Sequence, residues 1–119
     1  MQCDLTQIIF LVKDLEKTHG FTKGSMIAQA CHASVKSIFV FKDFDTTKEY
    51  VRNLNEMTKI ILKLNLEDVE LLKETCNTNK IQYVEWIEQP ENIMTAIATE
   101  ILDKKKNNLK EIFKHFKLY

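Results

Sequence analysis

The chain has 119 residues and a mass of 14.0 kDa, with 45 % apolar and 29 % charged residues. That fits one globular domain over residues 1–119 and excludes a disordered tract. Seventeen basic and seventeen acidic side chains cancel, so no global basic field points to nucleic acid. The longest apolar runs, at Ile8 to Val12 and Ile38 to Phe41, fall far short of the roughly 20 residues that cross a bilayer. The opening Met1-Gln2-Cys3-Asp4 carries no signal-peptide pattern, so a cytoplasmic address without membrane contact is expected.

Leu5 to Val12 is a continuous β-branched and aromatic run, which predicts a central strand buried on both faces. Lys13 to Gly24 contains both glycines and no periodicity, as a loop does. From Ser25 to about Phe41 the pattern turns helical. Ile27, Ala30, Cys31, Ser34, Val35 and Ile38 recur at helical spacing and predict a core face, and the small residues beside them would let the helix lie close to a sheet. Thr46 or Thr47 can cap a short helix carrying Tyr50, Val51 and Leu54. Met57 to Leu64 alternates as a half-covered strand, and Glu67 to Thr75 follows as a helix. Ile81 to Ile87 and Ile93 to Thr99 read as two further strands, separated by a turn around Pro90. The tail from Asp103 to Phe116 reads as a last helix with Leu109, Ile112, Phe113 and Phe116 inward. The order β, α, α, β, α, β, β, α predicts an α/β fold: a single-domain three-layer α/β/α architecture with a four-stranded mixed β-sheet.

Charge is unevenly spread. Residues 1–40 carry +1, residues 41–100 carry −5 and residues 101–119 carry +4. Any polyanion contact would be local, through the C-terminal lysines and the segment around Lys13 to Lys23. Three widely spaced cysteines, Cys3, Cys31 and Cys76, exclude a disulfide framework and a C-x-x-C pair, and are expected as mostly buried free thiols. Cys31 and His32 are adjacent on a helix and point about 100° apart, which rules out a dyad between them. His19, His32 and His115 have no metal-ligand spacing, so no metal is expected.

What remains is a polar stripe. Ser25, Gln29, His32 and Lys36 share one side of the predicted helix, and Lys23-Gly24-Ser25 stands at its start, where free N–H groups attract an anion. The alternative is that Ser25 or Thr22 is an N-cap and the stripe merely faces water. Trp86 and the carboxylates Glu85, Glu88 and Glu91 gather at a strand end and turn. There a carboxylate could orient water, or the cluster could be an acidic surface turn.

Lys23-Gly24-Ser25-Met26-Ile27-Ala28-Gln29-Ala30-Cys31-His32-Ala33 resembles the signature K-G-K-x-x-A-Q-x-x-H-A of the type 2 peptidyl-tRNA hydrolases. The ending His115-Phe116-Lys117-Leu118-Tyr119 is similar to the same family's terminus, and Trp86-Ile87-Glu88-Gln89-Pro90-Glu91-Asn92-Ile93 resembles a divergent branch of it. The resemblance implies that family's fold and hydrolysis of the ester between a peptide and the 3′ end of tRNA, in ribosome rescue, without cofactor. It implies Lys23, Gln29, His32, Glu88 and Asn92 as catalytic candidates, and Lys23, Gly24, Ser25 and Lys36 as tRNA contacts. Ser25 stands at the position of the family's second motif lysine, Glu88 at that of an aspartate and Asn92 at that of a threonine, while the family's A-P-G-T loop is missing. Three readings follow: a peptidyl-tRNA hydrolase, an inactive module binding tRNA or a protein, and a scaffolding homodimer that binds neither RNA nor nucleotide.

Overall fold

The computed structural model describes residues 4–119, so the expected thiol at Cys3 lies outside the described residues. Strand β1 (Leu5–Val12) is buried along its whole length, as predicted, its polar Thr6 and Gln7 included. It pairs in parallel with β2 (Lys59–Leu64) and antiparallel with β4 (Ile93–Thr99), which in turn pairs antiparallel with β3 (Tyr83–Glu88). The resulting mixed sheet has the order β2-β1-β4-β3. A two-residue β5 (Leu102–Asp103) pairs with the start of β1 and adds a fifth strand to the expected four.

Alternation along β1 separates the two faces of the sheet. Gln7 meets Ser34 of helix α2 (Lys23–Val40), whereas Phe10 points the other way into Phe113 and Phe116. That second face is covered by α4 (Val69–Thr78), whose Leu72 and Cys76 are fully buried, and by α5 (Leu109–Ile112) with the chain end behind it. Three layers result, as the element order predicts. The C-terminal residues also extend the sheet edge, with Lys63 N–H donating to the Lys117 carbonyl at 2.8 Å and Tyr119 N–H to the Ile61 carbonyl at 3.0 Å. Helix α3 (Asp45–Arg52) closes the far end of β1, where the Tyr50 hydroxyl donates to the Thr58 carbonyl at 2.6 Å. Among the described residues no helix is long and apolar enough to cross a membrane.

Three expectations need correction. The segment after β1 is not all loop: Leu15–His19 forms a short helix, α1, anchored by buried Leu15 and closed by Gly20 at φ +68°. The tail is helical only over Leu109–Ile112, although Leu109, Phe113 and Phe116 are buried as expected. The largest difference lies on α2. Its apolar stripe Ile27, Cys31 and Val35 is exposed, Ile27 at 65 % and Val35 at 69 %, while the buried face consists of Met26, Gln29, Ala33, Ser34 and Ser37. Ser34 is buried and Ala30 and Ile38 half-buried, as expected, but polar partners on the sheet rotate the buried face away from Ile27, Cys31 and Val35. Ser34 donates to Gln7 Oε1 at 2.6 Å and Ser37 to the Thr99 carbonyl at 2.7 Å. A helix with small side chains on that face comes close enough to make these bonds, and a satisfied buried hydroxyl no longer carries its desolvation penalty. Ile27, Cys31 and Val35 instead overhang an open groove of about 700 Å³ above Ile9 and Ile61, with Lys23 at its margin.

Candidate active site

Thr22, in extended conformation, caps α2. Its Oγ1 accepts from the Ser25 N–H at 3.1 Å, and the Ser25 hydroxyl donates back to the Thr22 carbonyl at 2.9 Å. Of the two capping candidates Thr22 is the N-cap, while Ser25 lies inside the first turn and uses its hydroxyl to close the helix start. Gly24 is exposed, and a Cβ added there would meet only Thr22 Oγ1 at 3.8 Å, so the space beside the first turn is open. The Lys23 and Gly24 N–H groups lie in the first turn, where no intrahelical acceptor reaches them.

One turn further on, the helix is tied to the sheet. Gln29 is 1 % exposed and uses both ends of its amide: Nε2 donates to the Ser25 carbonyl at 3.0 Å and to Glu88 Oε2 at 3.2 Å, and Oε1 accepts from the Thr95 hydroxyl at 2.7 Å. Thr95 reaches Gln29 because the β3–β4 register shifts at Trp86/Ile87. Trp86 pairs with Ala96 and Ile87 with Met94, so Thr95 has no partner across the ladder, the arrangement of a β-bulge. Glu88 ends β3, and its second oxygen accepts from the Trp86 indole N–H at 2.9 Å. His32 lies flat on that indole, with ring centroids 4.5 Å apart and planes inclined by 26°.

The Trp86 bond, more than any other contact, holds the Glu88 carboxyl below the usual carboxylate range. Gln29 and His32 act in the same direction, and partial burial opposes them. The folded chain therefore releases this proton more readily than the unfolded one. The stabilisation is complete above the ordinary glutamate pKa of about 4.3 and is lost as pH falls through that value towards the folded-state one. Glu100 has the opposite sign, since burial raises its carboxyl, so it destabilises as pH rises through the same ordinary value. Unfolding free energies of the parent chain and of Glu88→Gln, measured from pH 3 to 7, should converge at the acid end. Parallel curves would contradict a depressed Glu88.

The structure thus brings Gln29, His32 and Glu88 together, and adds Trp86 and Thr95. Lys23 makes no such contact. Six residues from Gln29, it stands about 120° away around the helix axis, on the flank of the apolar groove. Lys36 continues the stripe, its Nζ donating to the Glu85 carbonyl at 2.7 Å. Asn92 sits in the turn after β3 at φ +57°, its N–H donating to the Glu88 carbonyl at 2.7 Å and its Oδ1 accepting from Gln89. Thr95 is the participant that sequence reading missed. Its one signal is a hydroxyl amid the small and apolar residues of Ile93 to Thr99, which strand alternation alone does not aim at a helix.

Residues 5–119 match the family model described as Peptidyl-tRNA hydrolase PTH2. The chain belongs to the PTH2 family. It is similar to a mouse protein named "Putative peptidyl-tRNA hydrolase PTRHD1" (Mus musculus), with 34 % identity over 97 % of this chain and 82 % of that protein. The human protein of the same name (Homo sapiens) is 33 % identical over the same shares. PTH2 membership fits the expected α/β architecture. Ser25 presents a neutral side chain closed into the helix cap.

Proposed function

We propose that the chain hydrolyses the ester joining a peptide to the 3′ end of tRNA, in the cytoplasm, with Glu88 as the group that orients the attacking water. The observation that carries this reading is the pair of bonds from Gln29 and Trp86 to the two oxygens of Glu88, which join the family-motif helix to the end of β3. A carboxylate fixed at both oxygens and held ionised keeps lone pairs for a water proton, and needs no reorganisation when the water attacks. Gln29 acts as a positioning residue, since its amide is already committed to Ser25, Thr95 and Glu88. As water adds to the carbonyl carbon, Glu88 takes its proton. The tetrahedral intermediate then collapses with loss of the ribose oxygen, which takes the proton held by Glu88 and leaves as the tRNA hydroxyl, restoring the carboxylate. Lys23 and the open first turn of α2 are assigned to backbone phosphates of the RNA other than the one beside the terminal base.

The test is release of tRNA from an N-blocked aminoacyl-tRNA by folded protein in excess. Turnover above buffer is expected, and none would remove the hydrolase reading. One observation favours a second reading, a module that binds tRNA without cleaving it: Ser25, at the motif's lysine position, offers no charge to a developing oxyanion. That reading requires salt-dependent tRNA binding that weakens in Lys23→Ala, with hydrolysis absent.

A further inference from the structure

His32 and Trp86 come from different elements, α2 and β3, yet lie parallel within stacking distance. The indole cannot rotate freely, because its N–H is bonded to Glu88 and its strand neighbour Ala96 is fully buried beneath the helix layer. His32 is exposed, with one ring face on the indole. Its other face is therefore an aromatic surface set in advance, free of the entropy cost of fixing a lone histidine on a helix. Lys36 stands one turn further along the same stripe, exposed, and spends one of its three N–H donors on the Glu85 carbonyl. A flat aromatic face with a cation one helical turn away is the pairing that holds a nucleobase and its neighbouring phosphate in single-stranded RNA recognition.

We infer that the His32–Trp86 stack is the platform for the terminal nucleobase of the RNA 3′ end, with Lys36 against the adjoining phosphate. The inference rests on the reading that peptidyl-tRNA is the substrate, and the geometry then limits the choice of base. The ester is carried by the terminal ribose, so if Glu88 orients water at the ester carbonyl, the base nearest Glu88 is the terminal one. Trp86 is bonded directly to that carboxylate. The terminal base of tRNA is adenine, whose two fused rings cover an imidazole more fully than a pyrimidine does.

The experiment compares two labelled RNA minihelices, one ending in CCA and one identical but abasic at its 3′ nucleotide, by fluorescence anisotropy. The parent chain should bind the adenine-ended RNA about 5- to 30-fold more tightly. His32→Ala should bind both at the abasic level, and His32→Phe, which keeps an aromatic face and loses both ring nitrogens, should restore the difference. Trp86 is the chain's one tryptophan, so its emission should change saturably with the adenine-ended RNA alone. Equal binding of both RNAs by the parent chain, or His32→Phe behaving as His32→Ala, would overturn the platform and leave the tRNA reading standing. Binding of neither RNA would overturn both.

Discussion

Glu88→Gln is expected to lower turnover of an N-blocked aminoacyl-tRNA by roughly 10²- to 10⁴-fold with little change in KM, the range that a positioned general base contributes. The variant preserves side-chain size, so a large loss cannot be assigned to a cavity. Its amide oxygen can still accept from the Trp86 indole at the position Oε1 now holds, but its NH₂ group then faces the Nε2 donor of Gln29, 3.2 Å away in the parent chain. Gln29 cannot turn its oxygen toward position 88 without losing its bonds to Ser25 and Thr95. The variant thus loses both the negative charge and the bond that aims it. Steady-state kinetics with the same substrate decide the matter, and activity within twofold of the parent would remove Glu88 from the mechanism. RNA affinity should change little, because the amide oxygen still holds the Trp86 indole beneath His32 and the proposed phosphate contacts lie on α2.

The second large effect concerns the scaffold. Phe10 is fully buried at the centre of β1, and its ring meets Phe113 and Phe116 edge-on, each with centroids 5.2 Å away. These two contacts fasten the chain end against the sheet, just where Tyr119 and Lys117 bond to the exposed edge of β2. Phe10→Ala should cost about 3–5 kcal/mol, as removal of a buried aromatic side chain does. At this chain length that corresponds to a fall in Tm of roughly 10–20 °C. Phe10→Leu, which refills most of the volume, should lose much less. Denaturant unfolding of the three proteins measures the order, and a Phe10→Ala variant within 1 kcal/mol of the parent would show that the aromatic cluster does not hold the C-terminal segment.

Element types were legible where one local signal governed them. The apolar run Ile8 to Val12 within β1 favours a place between two other strands, and β1 lies between β2 and β4. Pro90 separates β3 from β4 where its missing N–H makes continuous pairing impossible. The buried set Leu109, Phe113 and Phe116 was also readable, although the helix around it is shorter than periodicity suggested. The face of α2 was legible only in part, at Ala30, Ser34 and Ile38. Ile27, Cys31 and Val35 form the more apolar stripe, and nothing local to the helix says that Ser34 and Ser37 will find acceptors on β1 and β4.

The candidate site divides in the same way. The motif around Gln29 and His32, and the tryptophan and glutamate of the Pro90 turn, could be singled out from their order along the chain. That the two segments touch could not, because 59 residues separate Gln29 from Glu88 and their bond depends on how α2 crosses the sheet. By itself the sequence determined the four long strands and helices α2 to α4, that Thr22 could close the start of α2, and which family the chain resembles. All of these depend on side chains a few residues apart or on residue identity. Only the tertiary structure decided that Gln29 faces the sheet while Lys23 borders the groove, that a bulge turns Thr95 onto the helix, and that His32 lies on Trp86. Each of these follows from packing one layer against another, where a buried polar group goes wherever a partner exists.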